Sequence, residues 1–204
     1  MRAILLDCAE SDDARTREAA DGLERTLKAR GADVERIFVR ELDVKACTGC
    51  FGCWTRTPGE CVIDDDARRV AERVIAADVF AIVSPIVFGS YGWRAKGILD
   101  RLICLVLPHF TMLDGEVHHR PRYERYPHLL ALGTLEQASP QQAELFARLV
   151  ERNAVNLHNP THAAVAVSGD QALPDAVSRL LDSLPAGLLS TIAELGDSGT
   201  EVAA

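Results

Sequence analysis

The sequence is short of positive charge. Lys and Arg together number 22 against 30 Asp and Glu over 204 residues, a formal net charge of -8. Nucleic acids and anionic membranes require a concentrated basic surface, so neither is an expected partner, and small molecules and other proteins remain. Long apolar runs are also missing. The opening run is broken by Asp7, too early for a secretion signal, and no later stretch approaches the length of a membrane span, which predicts a cytoplasmic protein. Internal repeats and low-complexity tracts are absent too. Cysteine, by contrast, is present six times, and a reducing compartment does not sustain a disulfide framework. Four of the six (Cys47, Cys50, Cys53 and Cys61) crowd one segment and need another explanation. Cys8 and Cys104 stand alone in apolar surroundings and read as ordinary buried thiols.

Hydrophobic periodicity organises the rest. Residues 2–6 form a short apolar strand, and 13–30 carry Ala14, Ala20, Leu23 and Leu27 at helical spacing ahead of Gly31. A strand at 34–39, a helix at 64–77 with Asp64 as its N-cap, and an apolar strand at 79–83 follow. Helix 93–107, strand 128–132, helix 140–157, strand 163–167 and helix 174–184 complete the list, with 196–204 expected to fray. Strands that alternate with helices predict a single α/β domain, a doubly wound five-stranded parallel sheet covered on both faces, because right-handed crossovers place the helices there. Two segments stand apart: a cysteine-rich stretch at 46–63, and an irregular arm at 108–127 expected to act as a lid or interface.

In such a sheet the ligand site lies beyond the carboxyl ends of the strands, at the point where strand order reverses. The loop after the third strand reads Ser84-Pro85-Ile86-Val87-Phe88-Gly89-Ser90-Tyr91-Gly92-Trp93, followed by a helix with Lys96, Gly97, Asp100 and Arg101. Pro85 stiffens the exit from the sheet, Gly89 and Gly92 permit close backbone approach, and Phe88 or Tyr91 can stack on a ring. This stretch resembles a flavin-contacting loop of the NAD(P)H-dependent FMN reductase branch of the flavodoxin-like superfamily, and the resemblance extends over most of the chain. It implies sheet order 2-1-3-4-5, FMN as cofactor held in part by Pro85, Ile86, Val87, Phe88, Gly89 and Ser90, and NAD(P)H as reductant. It also implies a small-molecule or protein electron acceptor, and a homodimer or homotetramer in which the cysteine segment and the arm make subunit contacts. Gly133 and Thr134 follow the fourth strand and offer further backbone or hydroxyl contacts, or an ordinary strand-to-helix turn.

The cysteine segment, Cys47-x2-Cys50-x2-Cys53-x7-Cys61 ahead of Asp64-Asp65-Asp66, resembles that of the iron-sulfur flavoproteins. The resemblance implies a [4Fe-4S] cluster on these four thiolates, one per iron. Zinc, a disulfide switch, or metal-free thiols serving packing or redox roles are the alternatives. The loop after the first strand departs from the family pattern. It reads Asp7-Cys8-Ala9-Glu10-Ser11-Asp12-Asp13-Ala14-Arg15-Thr16, with no glycine and with acids where a dianionic phosphate would sit. Ser11, Arg15 and Thr16 are the candidate phosphate contacts. Trp54 and Trp93 are candidates to cover a flavin face or to pack, and His118 and His119 read as part of a polar segment. The expected function is an FMN-dependent oxidoreductase or electron-transfer flavoprotein. The alternative is a degenerate flavodoxin-like interaction or assembly subunit that no longer binds FMN.

Overall fold

The computed structural model describes residues 1–169, 171–186 and 188, so the expected frayed end at 196–204 lies outside the described residues. The chain begins with β1 (Arg2–Asp7), α1 (Ala14–Ala29) and β2 (Asp33–Phe38), then crosses an irregular segment interrupted by the single-turn α2 (Gly52–Thr55). It continues through α3 (Asp66–Ile75), β3 (Val79–Val87), β4 (Ser90–Tyr91) and α4 (Trp93–Arg101). A hairpin of β5 (Val106–Leu113) and β6 (Glu116–Pro121) precedes β7 (His128–Leu135), α5 (Pro140–Asn156), β8 (His162–Ser168) and α6 (Leu173–Leu181).

The parallel strands are ordered β2-β1-β3-β7-β8, which is the expected 2-1-3-4-5 arrangement, and β4 pairs with the end of β3. Strand residues alternate between two cores. Ala3, Leu5, Ala81 and Val83 pack under α1 and α6, while Ile4, Leu6, Phe80 and Ile82 pack under α3, α4 and α5. β1 and β3 are buried along nearly their full lengths, as a parallel sheet covered on both faces requires.

Several boundaries differ from expectation: β7 runs to Leu135, so Gly133 and Thr134 lie within the strand and not in the loop after it, and α6 ends at Leu181. β3 runs through Pro85 to Val87 rather than ending at Val83. β1 stops at Asp7, opposite Val83, so from Ser84 onward β3 has lost its neighbour on that side and tolerates a residue without an amide proton. The helix expected at 93–107 ends at Arg101, passes through a 3-10 turn (Leu102–Leu105) and becomes β5. The arm is therefore an antiparallel hairpin, not an irregular loop. Asp114 and Gly115, at φ 50° and 84°, form its tip, and an Asp-Gly pair is a strong signal for that tight turn. The N-cap of α3 is Asp65, whose carboxylate accepts the Ala67 amide; Asp64 lies outside and meets Arg68.

Candidate functional site

The carboxyl ends of β3 and β7 and the start of α1 border a cavity of about 760 Å³. Asp13 and Arg15 enter from the start of α1, Pro85, Ile86 and Val87 from β3, Thr134 and Glu136 from the end of β7, and Gln142 from α5. This is where a doubly wound sheet places its ligand.

One wall is the β3–β4 hairpin. Ile86 pairs with Tyr91 and Val87 with Ser90, leaving a two-residue turn of Phe88 (φ 51°) and Gly89 (φ 77°). Both residues lie in the left-handed region, which the twist of a two-residue hairpin turn demands. Gly89 is doubly constrained, because a Cβ there would come 2.7 Å from Leu145 Cβ. Its amide donates to Gln142 Oε1 at 3.3 Å, tying the turn to α5. At the base of the hairpin the Gly92 amide donates to Ser84 Oγ at 2.9 Å and to the Pro85 carbonyl at 3.0 Å. Tyr91 is buried edge-on against Phe146, and burial pushes its hydroxyl up to about 12. Phe88, 93% exposed, projects from the turn as a free aromatic face.

The opposite end is formed by the loop between β1 and α1, which is closed by its own polar groups. The Asp13 carboxylate accepts the Thr16 amide at 2.9 Å and caps α1. The Asp13 and Ala14 amides donate to the carbonyls of Glu10 and Asp12. Arg17 donates to the Ser11 and Glu10 carbonyls, and Arg94 Nε donates to the Glu10 carboxylate at 2.8 Å. Arg15 Nη2 is divided between the Ser168 and Gln171 carbonyls at 3.3 and 2.9 Å, and Nη1 lies 3.6 Å from Glu18. The Thr16 and Thr134 hydroxyls, both buried, bond to each other at 2.5 Å. Asp7 is fully buried and is held by Arg36, 2.8 Å from its Nη2 and 3.2 Å from its Nε.

A second cavity, of about 520 Å³, is lined by all four cysteines of the segment, together with Phe51, Arg101, His119, and Asn153 and Asn156 from α5. Cys47 and Cys50 are exposed, Cys61 half-buried and Cys53 buried. The Cys53 thiol is pushed up by burial first and then by the nearby Cys61, Cys47 and Cys50. Hydrogen bonds from the Gly52 amide and the Thr48 side chain, with help from Arg56, pull the Cys50 thiol below its ordinary range. Among the described residues no three His, Cys, Asp or Glu side chains converge closely enough to hold one metal ion. The wall is anchored by Arg101, which is 2% exposed. It forms a forked ion pair with Asp65 at 2.7 and 2.9 Å and donates to the Lys45 and Ile63 carbonyls. Burial works to raise the Asp65 carboxyl, but Arg101 and the Lys45 and Ala67 amides outweigh it and hold it below the usual range. Trp54 packs here, stacked on Phe51, tilted against His119 and donating to the Val106 carbonyl.

Of the residues singled out from sequence, Arg15, Pro85, Ile86, Val87 and Thr134 meet in the first cavity, and Cys47, Cys50, Cys53 and Cys61 in the second. Ser11, Thr16, Phe88, Gly89, Ser90 and Gly133 do not line the first cavity. Gly133 is occupied with the core instead: a Cβ there would lie 2.5 Å from Ile86 Cδ1 and 2.9 Å from Phe146. Trp93 is exposed and lies under Arg94, whose guanidinium carbon is 4.4 Å from the ring centroid. Asp13, one of the acids expected where a phosphate would sit, does line the cavity, as the cap of α1. Gln142 escaped sequence reasoning, because nothing in the sequence marked it as facing a cavity from α5.

The two ends of the first cavity would suit the ring and the phosphate of FMN differently. The apolar β3 edge of Pro85, Ile86 and Val87 suits a flat ring, with the exposed Phe88 next in sequence but outside the lining. The loop before α1 does not suit a dianion, because the amides of Asp13, Ala14 and Thr16 already have acceptors and the Asp13 carboxylate takes the position of the anion at the helix start.

The family model described as NADPH-dependent FMN reductase matches residues 1–184. An iron-sulfur flavoprotein of Methanosarcina thermophila is 32% identical over 85 residues, which is 42% of this chain and 44% of that protein. One from Archaeoglobus fulgidus is 32% identical over 75 residues, 37% of this chain and 36% of that protein. The similarity thus spans less than half the length of these curated relatives. Among solved structures, an NAD(P)H:quinone oxidoreductase from Methanothermobacter marburgensis superposes with a TM-score of 0.65 at 15% identity, covering 88% of this chain and 93% of its own. An NADH:FMN oxidoreductase in its apo form gives 0.60 at 15% identity, covering 96% and 98%. At these identities the superpositions establish the shared fold.

Proposed function

Because this chain belongs to the NADPH-dependent FMN reductase family, we propose that it is a flavin-dependent oxidoreductase that draws electrons from a reduced nicotinamide. The observation that carries this reading is the cavity at the ends of β3 and β7, closed by the start of α1 and bordered by Pro85, Ile86 and Val87 at the foot of a two-residue hairpin turn. A bound flavin would supply the electron-carrying chemistry, accepting two electrons from the nicotinamide and releasing them to an acceptor. The chain's own part is positioning. Gln142 fixes the Gly89 amide, Ser84 fixes the Gly92 amide, and Ile86 and Val87 offer apolar surface that would keep water from a ring face.

The finer part of the proposal assigns Cys47, Cys50, Cys53 and Cys61 to a [4Fe-4S] cluster. Its support is four thiols gathered around one cavity. A cube with one thiolate per iron spreads its ligands over separate corners, so it does not require them to converge on one centre. The names of the curated relatives join the same two groups.

Purification without oxygen tests both parts, with the absorption spectrum, acid-released flavin, iron and sulfide measured on one sample. Bound or readily taken-up flavin, with NAD(P)H oxidised in its presence, supports the oxidoreductase; iron and sulfide near four per chain, lost when Cys50 and Cys53 become Ser, support the cluster. A folded, colourless chain that takes up no flavin would instead be the degenerate interaction subunit.

A further inference from the structure

We propose that this site selects a flavin with an uncharged tail, such as riboflavin, over its 5′-phosphate; the inference rests on the flavin reading above. Among the described residues lining the cavity, Arg15 is the single cation, and Asp13 and Glu136 are carboxylates. Each group at the α1 end is already committed. Thr16 and Thr134 share a hydroxyl bond, Arg15 Nη2 serves two backbone carbonyls, and the Asp13 carboxylate occupies the helix start that would otherwise receive an anion. Ser11 is exposed and outside the cavity lining.

Hydrogen-bond complementarity points the same way. A phosphate monoester brings about -1.5 to -2 charges and acceptor oxygens, and ionised Asp13 and Glu136 are themselves acceptors only. The two flavins share the rest of the ribityl chain, and riboflavin ends it in a hydroxyl donor, which matches a carboxylate, where FMN ends it in the phosphate. Arg15 Nε is buried without a partner, but one N–H does not neutralise a dianion that also faces Asp13.

The test is a fluorescence titration of the flavin-free full-length chain with riboflavin and with FMN at low ionic strength. Riboflavin is expected to bind at least about tenfold more tightly, a difference of about 1.4 kcal/mol. Raising the salt concentration should narrow the gap by screening the phosphate. Asp13→Asn, which keeps a capping side chain while removing the charge, should narrow it further. FMN binding as tightly as riboflavin overturns the inference, as does a gap that neither salt nor Asp13→Asn moves. If a chain shown to be folded by circular dichroism binds neither flavin, the flavin reading itself fails and takes this one with it.

Discussion

The cavity at the strand ends and the cavity around the cysteines are walled by different kinds of structure. The first borrows its walls from a parallel sheet whose ladders pair β1 with β3 and β3 with β7 across successive residues. The second has the four-cysteine wall on residues 42–65, where the only regular element is the single turn of α2, set against α4, the β5–β6 hairpin and α5. Its most buried anchor is one guanidinium: Arg101 reaches Asp65, Lys45 and Ile63 from α4, beside outer bonds from Arg68 to the Cys61 carbonyl and from Trp54 to the Val106 carbonyl. A wall made of ladder bonds distributes its stability over many residues, whereas a wall whose one fully buried tie is an ion pair concentrates more of it at that pair.

The comparison breaks most sharply at Arg101. Replacing it by Met leaves Asp65 buried without its partner and is expected to cost about 3–5 kcal/mol, read from urea denaturation. A loss below about 1 kcal/mol would show that the segment is held by other contacts. The Asp65 carboxyl lies below its ordinary value in the folded chain, so its contribution is complete above the unfolded pKa, about 3.9, and disappears as pH falls through the folded value. Arg101→Met should therefore flatten the acid limb of the stability profile below about pH 4; an unchanged limb would assign that limb to other carboxylates.

On the sheet side, Gly133→Ala pushes a methyl into Ile86 and Phe146 and should cost about 1–3 kcal/mol, without exposing the four cysteines to alkylation. Gly89→Ala combines a left-handed φ with a close approach to Leu145, at about 1–3 kcal/mol of local strain. Its clearer effect should be weaker flavin binding, since the hairpin turn has to shift; an unchanged affinity would remove that turn from the site. The smallest effect concerns reactivity rather than stability. Cys50 should be alkylated first and below the pH typical of a free thiol, while burial raises Cys8 and pushes Cys104 up to about 12, so both should stay unmodified in the native chain. Mass spectrometry of briefly treated protein reads the order directly.

The sheet was legible because its signals are local. The apolar runs ending at Asp7 and Val83 and the helical spacing through Leu23 and Leu27 each settle an element without reference to the rest of the chain. β3 was read short because Pro85 punctuates a strand, and only the three-dimensional fact that β1 ends opposite Val83 shows why it does not. The arm was read as irregular from its Pro, Arg and His content, which hid the Asp114-Gly115 turn signal. In the candidate site, Pro85 to Val87 and the cysteine cluster were legible from motif alone. Gln142 and the anchoring of Asp65 by Arg101 were not, because both depend on long-range packing between separate elements.

Both cavities touch α5. Gln142 borders the first, Asn153 and Asn156 the second, and the helix between them is unbroken. At 1.5 Å per residue, Gln142 and Asn153 stand about 16 Å apart along the axis. The helix is thus a ruler between the two chambers, and its length is fixed by backbone hydrogen bonds rather than by loops that breathe. An inserted residue between these positions would lengthen the ruler by about 1.5 Å and turn its far end by about 100°, swinging the two asparagines away from the thiols while leaving Gln142 in place.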